Sequence, residues 1–379
     1  MLCQDNVVRP YLPRSAPLFR PSTIVLAKGS NRTEQRWRLA EKICAAYPNA
    51  EVVEAFATPH NRINLGQPDG LTLHYEGKQT LVLGEHDSAV RHSSEEGNTC
   101  PNYWHFSPYG FCPYGCDYCY LAGTPGVRFS PTVKIYLNLP EILDEVGRIA
   151  VRIGQPMAFY LGKLQDGLAL DALTGYSREL VPFFAGHPLA RMIVLTKCAD
   201  VTNLLALDHG GHSILSWTVN PPEIGDRFER KTPPCLERIE AMKRCADVGY
   251  PVRAVVMPII PIEDWRTIYC RFLRLLLSSV RLARITLGSI CSYGQALHLT
   301  ELKLGKSNPI SSKIDRTASK SKDGRLRFHR SARQEVYRVL LDCIRELRPD
   351  LEIGLCLEER TTFDALAESR LIGRCNCVL

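Results

Sequence analysis

Phe111-Cys-Pro-Tyr-Gly-Cys-Asp-Tyr-Cys-Tyr-Leu121 gathers Cys112, Cys116 and Cys119 into one short segment with the spacing C-x-x-x-C-x-x-C. Pro113 fixes its own φ and lacks an amide hydrogen, and Gly115 opens backbone conformations closed to other residues. The segment therefore reads as a curling loop and not as a helix. Three thiolates on such a loop suit a compact inorganic core, and three cysteine ligands on a four-iron cubane leave one iron open to a small chelating molecule. Two blander readings use the same residues. Cys116 and Cys119 alone form a C-x-x-C redox pair, and the three cysteines with Cys100 or His105 form a structural zinc site. The flanking sequence bears on the choice.

Downstream of the loop, helical and strand patterns alternate with short connections. Residues 139–153 have helical spacing and 157–164 read as a strand; 173–184 are the next helix and 190–197 a buried strand. A short helix over 201–207, a strand over 213–220, a helix over 235–248 and a strand over 252–260 follow. A helix over 264–280 and a strand over 283–290 close the series. With one strand before Cys112 this predicts six βα units, an α/β chain with a partial (β/α)6 barrel of TIM type. Its head is where such a barrel places active-site loops. That position favours the cluster over zinc or a redox pair. It is the pattern of radical S-adenosylmethionine enzymes, in which a [4Fe-4S] cluster binds S-adenosyl-L-methionine and yields a 5′-deoxyadenosyl radical.

Upstream, 22–27 read as a strand, 33–46 as a helix, and 50–57 as a strand. Residues 71–75 and 79–83 flank Glu76-Gly77-Lys78 as a hairpin. The expected organisation is an extended arm over 1–20, marked by Pro10, Pro13 and Pro17, then a small α/β domain over 21–95 and the barrel over 96–300. The remainder, 301–379, holds a basic insertion, a helix over 332–347, a strand over 351–357 and a cysteine-containing tail. Residues 303–333 carry ten Lys or Arg against Asp315 and Asp323. That stretch reads either as a solvated loop, mobile around 307–323, or as a contact for nucleic-acid phosphates.

At 379 residues, 45% apolar and 23% charged, the composition excludes a disordered chain. The apolar runs 254–260 and 275–277 fall far short of the roughly 20 residues a membrane-spanning helix needs. The amino terminus lacks the basic start and apolar block of a secretory signal, so a cytoplasmic protein is expected. In that compartment 15 cysteines read as free thiols, metal ligands or catalytic thiols more than as disulfides. The net charge of +7 suits a polyanionic partner without requiring one. Cys356, Cys375 and Cys377 make a candidate second metal, cluster or redox site, or are plain tail thiols. Asn376 stands fourth from the end, where a prenylation box needs cysteine.

Cys116-Asp-Tyr-Cys-Tyr-Leu121 and Val133-Lys-Ile-Tyr-Leu-Asn-Leu-Pro-Glu-Ile-Leu143 resemble the spore photoproduct lyase family of radical S-adenosylmethionine enzymes. So do Thr58-Pro-His-Asn-Arg62, Thr80-Leu-Val-Leu-Gly84, Val194-Leu-Thr-Lys197, Trp217-Thr-Val-Asn220, Arg238-Ile-Glu-Ala241 and Gly249-Tyr-Pro-Val252. The resemblance implies a lyase that acts on a DNA lesion or nucleobase-like substrate and takes electrons from a donor such as flavodoxin or ferredoxin. It implies that Lys197 and Thr218 contact S-adenosylmethionine and that Tyr120 lies near the radical path. Asp166 aligns the second strand end, with Leu173-Thr-Gly175. There the family carries a hydrogen-donating cysteine, and this chain has Lys163. Cys198 and Cys291, at strand ends, are the substitute thiols. The alternatives are a small metabolite or peptide as substrate, in which case Lys163 binds it, or a zinc-stabilised nucleic-acid-binding module without catalysis.

Overall fold

The protein is described from a computed structural model covering residues 19–66, 69–316, 323–366 and 374–379. Most of the expected arm over 1–20 and residues 317–322 of the basic stretch lie outside these.

The chain begins with β1 (Thr23–Ala27), α1 (Glu34–Ala45), β2 (Glu51–Ala55), α2 (Gly70–Gly77) and β3 (Thr80–Gly84). After β4 (Val90–Ser93) and β5 (Tyr103–Phe106) comes the cysteine loop, and then β6 (Val133–Tyr136), which returns to β3. The first sheet thus runs β2-β1-β3-β6 in parallel, with Tyr109–Gly110 antiparallel on its edge. α2 replaces the expected hairpin. Leu71-Thr-Leu73 mimics strand alternation, but the Asp69 carboxylate accepts the Leu71 and Thr72 amides at 3.0 and 2.9 Å and caps a helix. That helix buries His74 and Gly77, three residues apart on one face.

The second sheet follows from the alternation of α3 (Leu139–Ile153), β7 (Met157–Leu161), α4 (Ser177–Gly186), β8 (Ala190–Thr196) and β9 (Ser213–Thr218). It continues through α5 (Cys235–Asp247), β10 (Val252–Ile259), α6 (Trp265–Ser279), β11 (Arg284–Ser289), α7 (Gly294–Leu304), α8 (Arg330–Leu347) and β12 (Ile353–Leu355). The order β12-β11-β10-β9-β8-β7-β5-β4 is parallel throughout except for β4. β4 and β12 are its edges, so the barrel is partial, and β12 adds a seventh parallel strand to the six expected. The strands are buried on both faces, which is why they read as continuous apolar runs. The expected helix over 201–207 is a pair of tight turns, Leu204 N to Val201 O (2.9 Å) and Leu207 N to Leu204 O (3.1 Å). Asp200 caps Thr202 instead of starting a helix.

Cys270 of α6 and Cys343 of α8 form a disulfide, so these two are not the free thiols or ligands expected. Among the described residues no helix is long and apolar enough to cross a membrane. Trp217 is fully buried on β9, and its indole donates to the Cys198 carbonyl at 2.8 Å. Trp217→Ala should cost about 3–5 kcal/mol, read as a lowered urea midpoint with the m-value retained.

Candidate functional site

The cysteine loop is held from several sides. Phe111 enters it at φ 57° and donates its amide to Leu164 O at 3.1 Å. Gly115 and Cys116 pair antiparallel with Arg230 and Glu229, and the Asp117 amide reaches Phe228 O at 2.8 Å. Lys78, at the end of α2, donates to the carbonyls of Cys112 and Tyr114 and stands 3.6 Å from the Phe111 ring centroid. Thr300 of α7 donates to Asp117 O at 2.7 Å. Beneath the loop, Glu229 pairs with Arg238, both fully buried, and accepts from Tyr118 and Asn220.

Cys112, Cys116 and Cys119 face a cavity of about 170 Å³ at the carboxyl ends of the barrel strands. Lys197 and Thr218 line it from the ends of β8 and β9, and Tyr120, Lys163, Asp166 and Cys291 complete the set of candidates found there. The entry after β7 requires Gly162: at φ +145° a Cβ would stand 2.7 Å from that of Leu195. Apolar walls come from Leu195, Val255, Met257 and Ile310.

Burial raises the thiols of Cys112 and Cys116, the latter to about 11, while Lys78 acts on the first and Lys197 on the second to favour the thiolate. Three cysteines facing one cavity under two ammonium groups fit a cluster ligated as thiolates. Among the described residues no three His, Cys, Asp or Glu side chains already encircle an ion position.

The other candidates divide by their partners. The Asp166 carboxylate accepts the Lys197 amide at 2.7 Å, the Thr196 hydroxyl at 2.6 Å and the Leu168 and Ala169 amides, so it positions the Lys197 strand end. Tyr120 donates to the Lys163 carbonyl at 3.0 Å. The Lys163 ammonium turns to Ser93 (2.7 Å) and Glu95 (3.1 Å), and Glu95 also holds Arg325 at 2.8 Å. Cys291 lines the cavity, and burial pushes its thiol up to about 12. Cys198 lies one layer behind, bonded to Asp200 O and to the Tyr114 hydroxyl. Cys100 joins Cys356 and Cys375 and not the loop cysteines, while His105 is buried on β5 outside the cavity lining. The zinc set drawn from the loop with either residue is therefore not assembled.

Within the described part of the basic stretch, Lys306 and Arg330 are exposed, but three arginines face neither water nor a phosphate. Arg325, Arg327 and Arg333 are only 7%, 6% and 3% exposed and form ion pairs with Glu95, Asp323 and Glu358. Lys313 donates to Pro261 O at 2.6 Å and Arg316 pairs with Glu301. Arg325 and Arg333 complete the buried carboxylates of Glu95 and Glu358 from distant segments, which no local charge count reveals. Lys78, Glu95 and Glu229 also escaped the reading of the sequence. Each is a single charged residue in an ordinary context, identified only by what folding packs against it.

Burial opposes the charge on Glu229, yet Arg238, Lys197 and the Tyr118 hydroxyl hold its carboxyl at about 2 against an ordinary 4.5. Because the folded value is depressed, its stabilisation is complete above about pH 4.5 and is lost as the pH falls toward 2. Glu229→Gln should lower stability at pH 7 and flatten the acid limb of the stability profile, measured by urea melts between pH 2 and 7.

A family model described as spore photoproduct lyase matches residues 30–288. Curated spore photoproduct lyases of Clostridium acetobutylicum and Bacillus subtilis are each 28% identical to the chain, over 202 and 234 residues. These matches cover 53% and 61% of this chain, and the chain spans 58% and 66% of the length of those relatives. A solved spore photoproduct lyase complexed with dinucleoside spore photoproduct superposes with a TM-score of 0.77 at 20% identity, over 89% of this chain and 98% of that one. A mutant of that enzyme with bound AdoMet and the same dinucleoside gives the same TM-score, identity and coverage. The partial barrel is thus the fold of those enzymes, and with the family match over residues 30–288 the chain belongs to the spore photoproduct lyase family.

Proposed function

We propose that the chain is a radical S-adenosylmethionine lyase that acts on a nucleobase lesion in DNA, as the solved relatives that hold dinucleoside spore photoproduct suggest. The observation that carries this reading is the opening of Cys112, Cys116 and Cys119 onto the same cavity as Lys197 and Thr218. The three cysteines are the residues to hold a [4Fe-4S] cluster. The Lys197 ammonium and Thr218 hydroxyl are those to hold the methionyl end of S-adenosylmethionine. Once bound, the pair supplies a 5′-deoxyadenosyl radical competent for hydrogen abstraction.

The chain's own residues do the rest. Asp166 keeps Lys197 at the cavity wall, and Leu195, Val255 and Met257 exclude water from a site that must shelter a carbon radical. Lys163 cannot replace the thiol its family carries there, because lysine N–H and C–H bonds are much stronger than S–H. Cys291 is the thiol in place. It is protonated at neutral pH and faces the cavity, so it keeps a hydrogen atom to return to the product. A lesion must be flipped from the duplex to reach this depth. An electron donor of the flavodoxin or ferredoxin class and a cytoplasmic setting belong to the same proposal. A small-metabolite substrate is the second reading, favoured by the burial of Arg325, Arg327 and Arg333, which takes three cations from any phosphate surface.

The test is anaerobic reconstitution with iron and sulfide, reduction, and incubation with S-adenosylmethionine and dinucleoside spore photoproduct. Thymidine release with 5′-deoxyadenosine, abolished in the Cys112, Cys116 and Cys119 alanine variant, is expected. Lys197→Ala should raise KM for S-adenosylmethionine about tenfold, about 1.4 kcal/mol. Cys291→Ala should keep 5′-deoxyadenosine formation while losing most thymidine. 5′-Deoxyadenosine without thymidine from the native chain would move the assignment to the small-metabolite reading. A fully loaded cluster that forms none would overturn both.

A further inference from the structure

A second group of thiols lies where the open barrel is sealed. Cys100 stands just before β5, the first parallel strand, and Cys356 just after β12, the last. The Thr99 amide donates to Glu358 O at 2.8 Å and the Leu357 amide to Cys100 Sγ at 3.2 Å, so the two edges meet through these segments. The tail then inserts against the inner face of the sheet. Cys375 and Cys377 bury against Tyr103, Ala158, Tyr160, Ile193 and Ile214, on β5, β7, β8 and β9.

The tail's position is enforced by the barrel. Arg253 donates to Asn376 O and Val378 O at 3.2 and 2.8 Å, and Arg284 to Cys375 O and Val378 O at 3.2 and 3.0 Å. Ser216 donates to Asn376 Oδ1 at 2.8 Å. At Gly354 of β12 a Cβ would fall 2.1 Å from Arg374 O, so the tail is in direct contact with the last strand. Cys100 packs in the same cluster as Cys375 and Cys377, and its sulfur, which accepts the Leu357 amide, lies beside Cys356.

We propose that Cys100, Cys356, Cys375 and Cys377 form a closed tetrathiolate site for one thiophilic ion, zinc in the cell, that staples the tail and the last barrel strand to the first. Four cysteine ligands with no open position define a structural site and not a catalytic one. A tetrahedral ion with Zn–S of about 2.3 Å sets its sulfurs about 3.8 Å apart. A cubane needs its cysteine sulfurs farther apart. Two buried guanidinium groups, Arg253 and Arg284, stand at the tail backbone to offset the negative charge of four thiolates around a divalent ion. Side-chain rotation of the thiols, with the backbone as it stands, is the adjustment binding requires.

The experiment uses the full chain carrying Cys112, Cys116 and Cys119 changed to alanine, so that the radical cluster is absent and its success or failure cannot enter the result. Zinc, iron and sulfide per chain are measured in this background, alone and with Cys375→Ser and Cys377→Ser or with Gly354→Ala, which keeps all four thiols but displaces the tail. Cobalt(II) is also added to the background protein. About one zinc per chain is expected, falling at least tenfold in both added variants, together with thiolate-to-cobalt absorption of a tetrahedral site. Circular dichroism shows that the background protein is folded. A folded background protein that takes up neither zinc nor cobalt overturns the proposal. Retention of about four irons with sulfide overturns it in favour of an auxiliary cluster. Zinc that survives the Cys375 and Cys377 changes shows that these thiols are not its ligands.

Discussion

The buried pair of Glu229 and Arg238 is the contact on which the site depends. Glu229 meets the cysteine loop through its backbone ladder with Cys116 and through the hydroxyl of Tyr118. Arg238 lies on α5 and donates to the carbonyls of Thr218 and Pro233 and to the Thr232 hydroxyl. One ion pair therefore ties the loop that presents three thiols to the strand end that presents Thr218. Both charges have left water, and removing either partner leaves the other unpaired at a cost of about 3–5 kcal/mol. The geometry of the cavity mouth is thus coupled to the stability of the barrel.

The second constraint is the open sheet. A closed barrel hides its edges by pairing them, whereas here β4 and β12 are left as edges and the gap is filled by other means. Glu95, Arg325 and Asp323 form a buried ionic network along one side, Arg333 grips Glu358 beside it, and the cysteine tail fills the lumen. Arg325, Arg327 and Arg333 are thereby structural. They satisfy carboxylates that would otherwise be buried alone, and Lys163 belongs to the same network through Glu95. Lys163 is thus engaged in closing the seam.

Much of this was legible before folding. The spacing of Cys112, Cys116 and Cys119 and the alternation after residue 139 announced a cluster loop on a barrel, because thiolate ligands must sit at fixed intervals and buried parallel strands read as apolar runs. Lys197 and Thr218 were expected from the family resemblance, and they line the cavity because strand ends of a barrel converge on its mouth. The region of α2 was misread because Leu71 and Leu73 alternate as in a strand, and the cap at Asp69 decided for a helix. Counting charge over 303–333 did not single out the buried Arg325, Arg327 and Arg333. A sum does not distinguish arginines that face water from those that face a buried carboxylate.

The sequence by itself determined the fold class and the gathering of Cys112, Cys116 and Cys119 in one loop, since these rest on local spacing, residue chemistry and a one-dimensional pattern. Only the tertiary structure decided which thiols share a site. Cys291 faces the cavity while Cys198, one residue beyond Lys197, is turned away. Cys100 leaves the loop cysteines, twelve positions before Cys112 by number, and joins Cys375 and Cys356 more than 250 positions on. The physical reason is that a barrel brings its first and last strands together, so proximity at the seam is set by closure of the sheet and not by separation along the chain.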